Sequence, residues 1–290
     1  MLKTRAVSAV GVVVVAACAG FAGGPVLDIV VAILGFLGLE EMFRALAVID
    51  VRPLRAVAWL GAITIIILAA SSAGGGAVSA AIVAFILVSF CVAVLRPDPI
   101  PGLIDWCLTA GLTLYLALPL ATFIMLRQLG GASTRNWSNR VIEFFGFGTT
   151  GRGLAWFAMT LAAVWISDTA AYLVGRQWGK TKLIPAVSPG KTRVGAAGAV
   201  VGGAAGALVF AYIFGTPISW YLAVSTGVIL SVAGQLGDLA ESLIKRSLNI
   251  KDMGNLIPGH GGILDRIDAL LFAMPVAYGI AWLLAEVRLS

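Results

Sequence analysis

Nine predominantly apolar runs divide the chain, near 6–23, 25–43, 56–73, 76–95, 102–126, 153–174, 194–214, 218–243 and 264–285. Each is close to the roughly 20 apolar residues that a helix needs to cross the ~30 Å hydrocarbon core of a bilayer. The runs are separated by turn chemistry: Gly23-Gly24-Pro25, Gly74-Gly75-Gly76, Pro97 with Pro99 and Pro101, and Gly215-Thr216-Pro217. Gly20, Gly23 and Gly24 also allow the first two runs to form a re-entrant pair. The pattern predicts an all-α, polytopic integral membrane protein with about nine transmembrane helices. Two regions are expected: 1–150, holding about five spans and an interfacial loop, and 151–290, holding about four. No internal repeat is evident, which argues against an inverted-repeat transporter.

Composition agrees. The 290 residues are 60% hydrophobic and only 12% charged, with mean hydropathy +0.99; ordinary soluble domains carry about twice that charge. This excludes a disordered chain, a disulfide-stapled secreted domain, a cytosolic enzyme and a nucleic-acid binder. Cys18, Cys91 and Cys107 lie in apolar runs with no metal-ligand or Cys-x-x-Cys spacing, and His260 is the sole histidine, so no multi-His metal site exists. The start Met1-Leu2-Lys3-Thr4-Arg5 before an apolar run has the look of a signal peptide. With so many spans behind it, a retained first helix is expected.

The net charge of +6 is read as a topology signal, because cytoplasmic loops are enriched in Lys and Arg. With the N-terminus inside, fifteen of the twenty Lys and Arg residues fall in cytoplasmic segments, leaving Arg127, Arg135, Arg140, Arg152 and Arg288 outside. The basic 127–152 loop, with Trp137 and Phe144-Phe145, reads as an interfacial amphipathic helix. The two longest polar loops on the cytoplasmic side are then 175–193 and 244–263, where a charged cytosolic substrate would meet the protein.

Those loops and the helix ends beside them carry the chemistry. Asp238 and Glu241 are three residues apart, so on a helix they share a face with Ser242 and Lys245. Asp265 and Asp268 repeat the spacing at the start of the last run. Carboxylates at such depths are costly unless they are paired or hold cations. Clustered acids beside Lys245, Arg246, Lys251, Lys191 and Arg266 are what a metal–phosphate site requires, with hard oxygen ligands for Mg²⁺ and cations for phosphate charge. Gly259, Gly261 and Gly262 would let amides approach phosphate, and a helix starting near Ile263 would point its positive end there. Asp168 lies inside an apolar run about two turns before its end, as a packing residue or a ligand. Gly190-Lys191-Thr192 is not a P-loop, since position 185 is Pro and not the glycine that motif needs. Gly198, Gly202 and Gly206 recur every four residues, a spacing for close helix packing.

The run Ser242-x-Ile244-Lys245-Arg246-x4-Lys251-Asp252-x-Gly254-x2-Ile257-Pro258-x-His260-Gly261-Gly262-Ile263-x-Asp265-Arg266-Ile267-Asp268 resembles the signature of the phosphatidate cytidylyltransferases (CDP-diacylglycerol synthases). Asp168-Thr169-x-Ala171-Tyr172-x2-Gly175-Arg176-x2-Gly179-Lys180-x-Lys182-Leu183-x-Pro185 and Ser188-Pro189-x-Lys191-Thr192 are similar to the same family. Together they cover roughly residues 165–270; the first 150 residues resemble it only as generic spans. Two positions depart from the family pattern: Gly190 stands where a basic residue is usual and Val194 where a Glu is usual, with Arg193 a nearby source of positive charge.

The resemblance implies transfer of CMP from CTP to phosphatidate, giving CDP-diacylglycerol and pyrophosphate in phospholipid biosynthesis. It also implies Mg²⁺, with a second cation for which K⁺ is the candidate. By position, Asp238, Asp265, Asp268, Asp168 and Glu241 are the expected metal ligands or their neighbours, and Asp238, Asp265, Lys245 and Arg266 the expected catalytic groups. Lys191, Ser188, Ser242, Arg246, Lys251, Asp252, His260, Gly261 and Gly262 are the expected substrate contacts, with His260 on phosphate or ordering its loop in preference to acting as a base. Asp265→Asn is expected to abolish CDP-diacylglycerol formation and leave the protein folded. The expected setting is the bacterial cytoplasmic membrane, with the N-terminus and site loops cytoplasmic, membrane lipid around the chain, no nucleic-acid partner and a homodimer. The rivals are a cytidylyltransferase acting on another lipid phosphate, such as an archaeal ether lipid, and a cation transporter or channel.

Overall fold

A computed structural model describes residues 2–49, 51–71, 74–145, 151–256 and 261–286. Among them are ten α-helices: α1 Leu2–Ala22, α2 Gly24–Leu46, α3 Arg55–Ala70, α4 Gly74–Val94, α5 Pro99–Arg127, α6 Asn136–Phe145, α7 Gly151–Trp178, α8 Arg193–Phe214, α9 Trp220–Ser247 and α10 Leu264–Glu286. Ile257, Pro258, Gly259, His260 and Arg288 lie outside the described residues.

Local chemistry sets the boundaries. Gly23 and Gly24 take positive φ (62° and 47°) between α1 and α2, and Pro25 follows in the first turn of α2, where its missing N–H costs nothing. The first two apolar runs are therefore two separate helices joined by a tight turn. Thr192 caps α8, its hydroxyl accepting from Gly195 N at 3.1 Å, and Gly215 ends the same helix in the left-handed conformation.

Successive long helices run in alternating directions, as contacts at the two ends of the bundle show. At one end Arg127 Nε donates to Gly20 O (2.6 Å), Gln128 Nε2 to Ala70 O (3.1 Å) and Arg152 Nη2 to Ala281 O (3.3 Å). These join the finishes of α1, α3, α5 and α10 to the start of α7. At the opposite end Arg52 N donates to Asp105 Oδ1 at 2.9 Å, and the Arg96 guanidinium pairs with the same carboxylate at 3.6 Å. That gathers the finish of α4 with the starts of α3 and α5.

Six of the helices are long and apolar enough to cross a membrane, α4, α5, α7, α8, α9 and α10, so the chain is a multi-pass helical membrane protein. Among the described residues this accounts for six of the nine expected spans. The 16 residues of α3 reach only about 24 Å at ~1.5 Å per residue, short of the hydrocarbon core. Asp28, Glu40, Glu41 and Arg44 interrupt the apolarity of α2. The second departure from an all-helical chain is a small antiparallel hairpin, β1 Lys182–Ile184 with β2 Ser188–Thr192, where sequence alone predicts a loop. The 127–152 segment does form a helix, α6, anchored at the end away from this hairpin by Trp137 Nε1 donating to Ile213 O at 3.0 Å.

One buried core runs through both predicted regions, from Leu39, Ile65 and Leu116 through Trp156 and Met159 to Leu230, Leu271 and Met274. The glycine stripe does pack helices. A Cβ on Gly198 would lie 2.8 Å from Val174 Cβ, and one on Gly202 would lie 2.5 Å from Ala170 Cβ. On the next face, Gly203 and Gly227 set the crossing of α8 with α9. This close packing brings the acid-bearing stretches of α7, α9 and α10 together at one end.

Candidate active site

At the hairpin end, a cavity of about 680 Å³ opens between α7, α8, α9, α10 and the hairpin. Its wall carries four carboxylates, Asp168 from α7, Asp238 from α9, and Asp265 with Asp268 from α10. Three cations share it: Arg176 from the end of α7, Lys182 from β1 and Lys191 from β2. The sequence explains the convergence. Asp168 and Arg176 are eight residues apart and so face the same side of α7, and Asp265 and Asp268 share a face of α10 one turn apart.

The cavity acids differ in how they are held. Lys191 Nζ meets Asp238 Oδ2 at 2.7 Å and also donates to Gln235 O at 3.4 Å. Asp238 Oδ1 accepts from Ser242 Oγ at 3.3 Å. Asp265 is fixed on both oxygens: Oδ1 accepts from Lys245 Nζ at 2.6 Å, and Oδ2 from the amides of Gly262 (2.8 Å) and Met253 (2.9 Å). Among the described residues Asp268 Oδ1 accepts only from the adjacent Ala269 amide, at 2.8 Å. Asp168 has no hydrogen-bond or ion-pair partner among the described residues, although it stands within an apolar helix.

Behind the cavity, Lys245 bridges inward as well, to Glu241 Oε1 at 2.9 Å. Glu241 is fully buried, and its Oε2 and the Tyr115 hydroxyl of α5 are both buried without a hydrogen-bond partner among the described residues. Buried polar atoms without partners are costly in an apolar bundle, so Glu241 and Tyr115 add to the polarity behind the cavity.

This donor set suits a hard cation such as Mg²⁺ in kind: carboxylate oxygens only, in negative excess over the lysines that touch them. Among the described residues no three acids converge closely enough to share one ion; Lys191 and Lys245 instead occupy Asp238 and Asp265.

The other expected site residues divide clearly. Lys191, Asp168, Asp238, Asp265 and Asp268 line the cavity; Ser242, Glu241 and Lys245 support it from behind. Arg246 is exposed and reaches Val187 O (3.3 Å) and Ile250 O (3.2 Å), tying the hairpin to the loop after α9. Ser188 begins β2 in register with Ile184, and Lys251 and Asp252 are exposed on that loop. Arg266 faces away, into an apolar cavity of about 340 Å³ between α1, α2, α5, α7 and α10. Gly261 adopts φ 79°, with Asp265 Oδ2 only 2.7 Å from where a Cβ would sit, so it serves the local turn. The start of α10 is not an open anion site. The Gly262 amide is bound by Asp265, and those of Ile263 and Leu264 by Glu41, at 2.9 and 3.0 Å.

Sequence reasoning missed Glu41, Gln235 and Tyr115. Glu40-Glu41 at the end of an apolar run was the available signal, since buried acids in a span are rarely idle. Tyr115 offered none, being one aromatic in a run of apolar residues.

Residues 3–284 match the profile of the Cytidylyltransferase family. The chain is 45% identical over 126 residues to the phosphatidate cytidylyltransferase of Bacillus subtilis (strain 168), 43% of this chain and 47% of that protein. It is 42% identical over 144 residues to that of Brucella suis biovar 1, half of each chain, and 42% over 128 residues to that of Staphylococcus saprophyticus, 44% of this chain and 49% of that protein. The chain spans about half the length of the curated relatives it matches.

Proposed function

Because the chain belongs to the cytidylyltransferase family, we propose that it is a CTP:phosphatidate cytidylyltransferase, forming CDP-diacylglycerol and pyrophosphate at the hairpin-end cavity. The carrying observation is that cavity itself, where acids from three helices meet Arg176, Lys182 and Lys191 at the end of a membrane-embedded bundle. A transporter would distribute polar groups along its depth; here the acids crowd one end.

In this reaction a phosphate oxygen of phosphatidate attacks the α-phosphorus of CTP. A new P–O bond forms, the α–β phosphoanhydride breaks, and pyrophosphate leaves with its electron pair. The attacking phosphate monoester has a second pKa near 6, so at neutral pH it is largely dianionic and needs no general base. The protein's tasks are alignment and charge neutralisation. Lys191, Arg176 and Lys182 bind the triphosphate and lipid phosphate as they enter. Lys191 is released from Asp238 when phosphate competes for its ammonium. One or two of Asp168, Asp238 and Asp268 would hold Mg²⁺, with water and phosphate oxygens completing its shell, and when bound it supplies positive charge to offset that of the phosphates. Lys245 keeps Asp265 oriented, and Ser242 does the same for Asp238. Arg266, on the apolar side of α10, sits where a lipid headgroup would approach with its chains still in the bilayer.

The same reading puts the hairpin end in the cytoplasm, where CTP is made. It is supported by the Lys and Arg residues that collect there and by the bacterial relatives. Purified protein in lipid nanodiscs, given radiolabelled CTP, phosphatidate and Mg²⁺, is expected to yield labelled CDP-diacylglycerol, and EDTA is expected to abolish it. No labelled lipid overturns the assignment, and product that is insensitive to EDTA overturns the role given to Mg²⁺.

A further inference from the structure

Glu41 belongs to α2, far in sequence from every motif of the C-terminal half, yet the residue is only 6% exposed and its carboxylate reaches the start of α10. Oε1 accepts from Ile263 N and Oε2 from Leu264 N, the amides just before and at the first residue of α10. Among the described residues no Lys or Arg pairs with it, so those amides and the positive end of α10 balance its charge. The loop is shaped around it. A Cβ on Gly254 would lie 2.6 Å from Oε1, and one on Gly262 would overlap Oε2. Gly262 is also the residue whose amide holds Asp265 Oδ2, opposite the Lys245 contact. The backbone of residues 262–264 therefore joins the hydrogen bonds of Glu41 to those of Asp265, Lys245 and Glu241.

We propose that Glu41 is a positioning residue for the active site: by clamping the first amides of α10 it sets the orientation of Asp265, making the N-terminal helices part of the catalytic apparatus. For its kinetic consequence the inference rests on the cytidylyl-transfer function.

The test compares wild type with Glu41→Gln, Glu41→Asp and Glu41→Ala in nanodiscs, with Glu40→Gln as a neighbouring charge control. Glu41→Gln keeps one acceptor and turns an N–H toward the second amide. It is expected to lower kcat by about tenfold or more, the scale of a lost charge-assisted hydrogen bond. The KM for phosphatidate is expected to stay within about twofold, the signature of misplaced chemistry with intact binding. Glu41→Asp, which retains both oxygens, recovers part of the loss, and Glu40→Gln behaves as wild type. Hydrogen exchange in Glu41→Gln rises in peptides covering 248–256 and 261–270 while α7 to α9 stay protected. Gly262→Ala gives the sharpest check. Its methyl displaces the Glu41 carboxylate, so it should be harmful alone and add little in Glu41→Ala.

Unchanged kcat together with unchanged exchange in Glu41→Gln overturns the proposal, as does full additivity of Gly262→Ala with Glu41→Ala. A wild type that makes no product removes the transfer function, and exchange and the double-mutant comparison still decide the role of Glu41.

Discussion

Lys245 contacts Glu241 Oε1 and Asp265 Oδ1 with a side chain only 11% exposed, while those of its partners are 1% and 6% exposed. Removing one member of a buried ion pair strands the others without water to solvate them. Lys245→Met is therefore expected to lower stability by about 3–5 kcal/mol, read as thermal unfolding in detergent, in addition to abolishing turnover. Asp265 belongs to the same network, which changes the expectation for Asp265→Asn. The amide would turn an N–H toward a backbone N–H or toward Lys245, so inactivity would come with a lowered melting temperature. Asp168→Asn separates the two effects, because Asp168 has no partner among the described residues to lose. It should melt within about 0.5 kcal/mol of wild type, as substitutions away from packing and pairing do, and still form no CDP-diacylglycerol. An active Asp168→Asn would remove that carboxylate from the reaction.

At the scale of elements, the crossing of α7 with α8 decides where Asp168 and Lys191 sit relative to each other. The two helices approach closely only because Gly198, Gly202 and Gly206 present no side chain to Val174, Ala170 and Ala162. Gly202→Val forces them apart and should cost about 1–3 kcal/mol, as overpacking does, with loss of activity. Gly111→Ala in α5, which meets nothing within 4 Å, should leave melting and turnover unchanged. The stripe was legible in sequence because four-residue spacing of glycines has one common structural use. Helix positions were legible for a similar reason: the apolar runs and their Gly/Pro breaks fall within a few residues of α1–α5 and α7–α10. The hairpin was not, since Ser188-Pro189-Gly190-Lys191-Thr192 has neither alternating hydrophobicity nor β-branched residues at most positions. It forms between the ends of α7 and α8, with Thr192 serving both β2 and the α8 cap. The acid clusters were visible from spacing, but their pairing was not. Nothing local to Asp265 announces that residues 253, 262 and 245 saturate it, nor that Glu41, 222 residues from Ile263, closes the start of α10.

For the whole molecule, the alternating directions of the helices turn a loop-by-loop charge tally into a statement about two ends. Arg52, Arg55, Arg96, Arg176, Lys182, Lys191 and Arg246 belong to the hairpin end, whereas Arg127, Arg135 and Arg152 stand at the α6 end. Lys and Arg close to span ends are retained on the cytoplasmic side during insertion. The imbalance therefore predicts one orientation for every helix at once, however many of α1, α2 and α3 cross the bilayer fully. Cys18, Cys91 and Cys107 are exposed thiols and would report on their own, so the measurement starts from a variant lacking all three. In that background Arg135→Cys, beside α6, should react with a membrane-impermeant maleimide in intact spheroplasts. Lys182→Cys, on the hairpin, should react only after the membrane is opened. The opposite pattern would place the cavity outside, away from CTP, and the cytidylyl-transfer function would fall with it, whereas the fold and its buried acid network would stand.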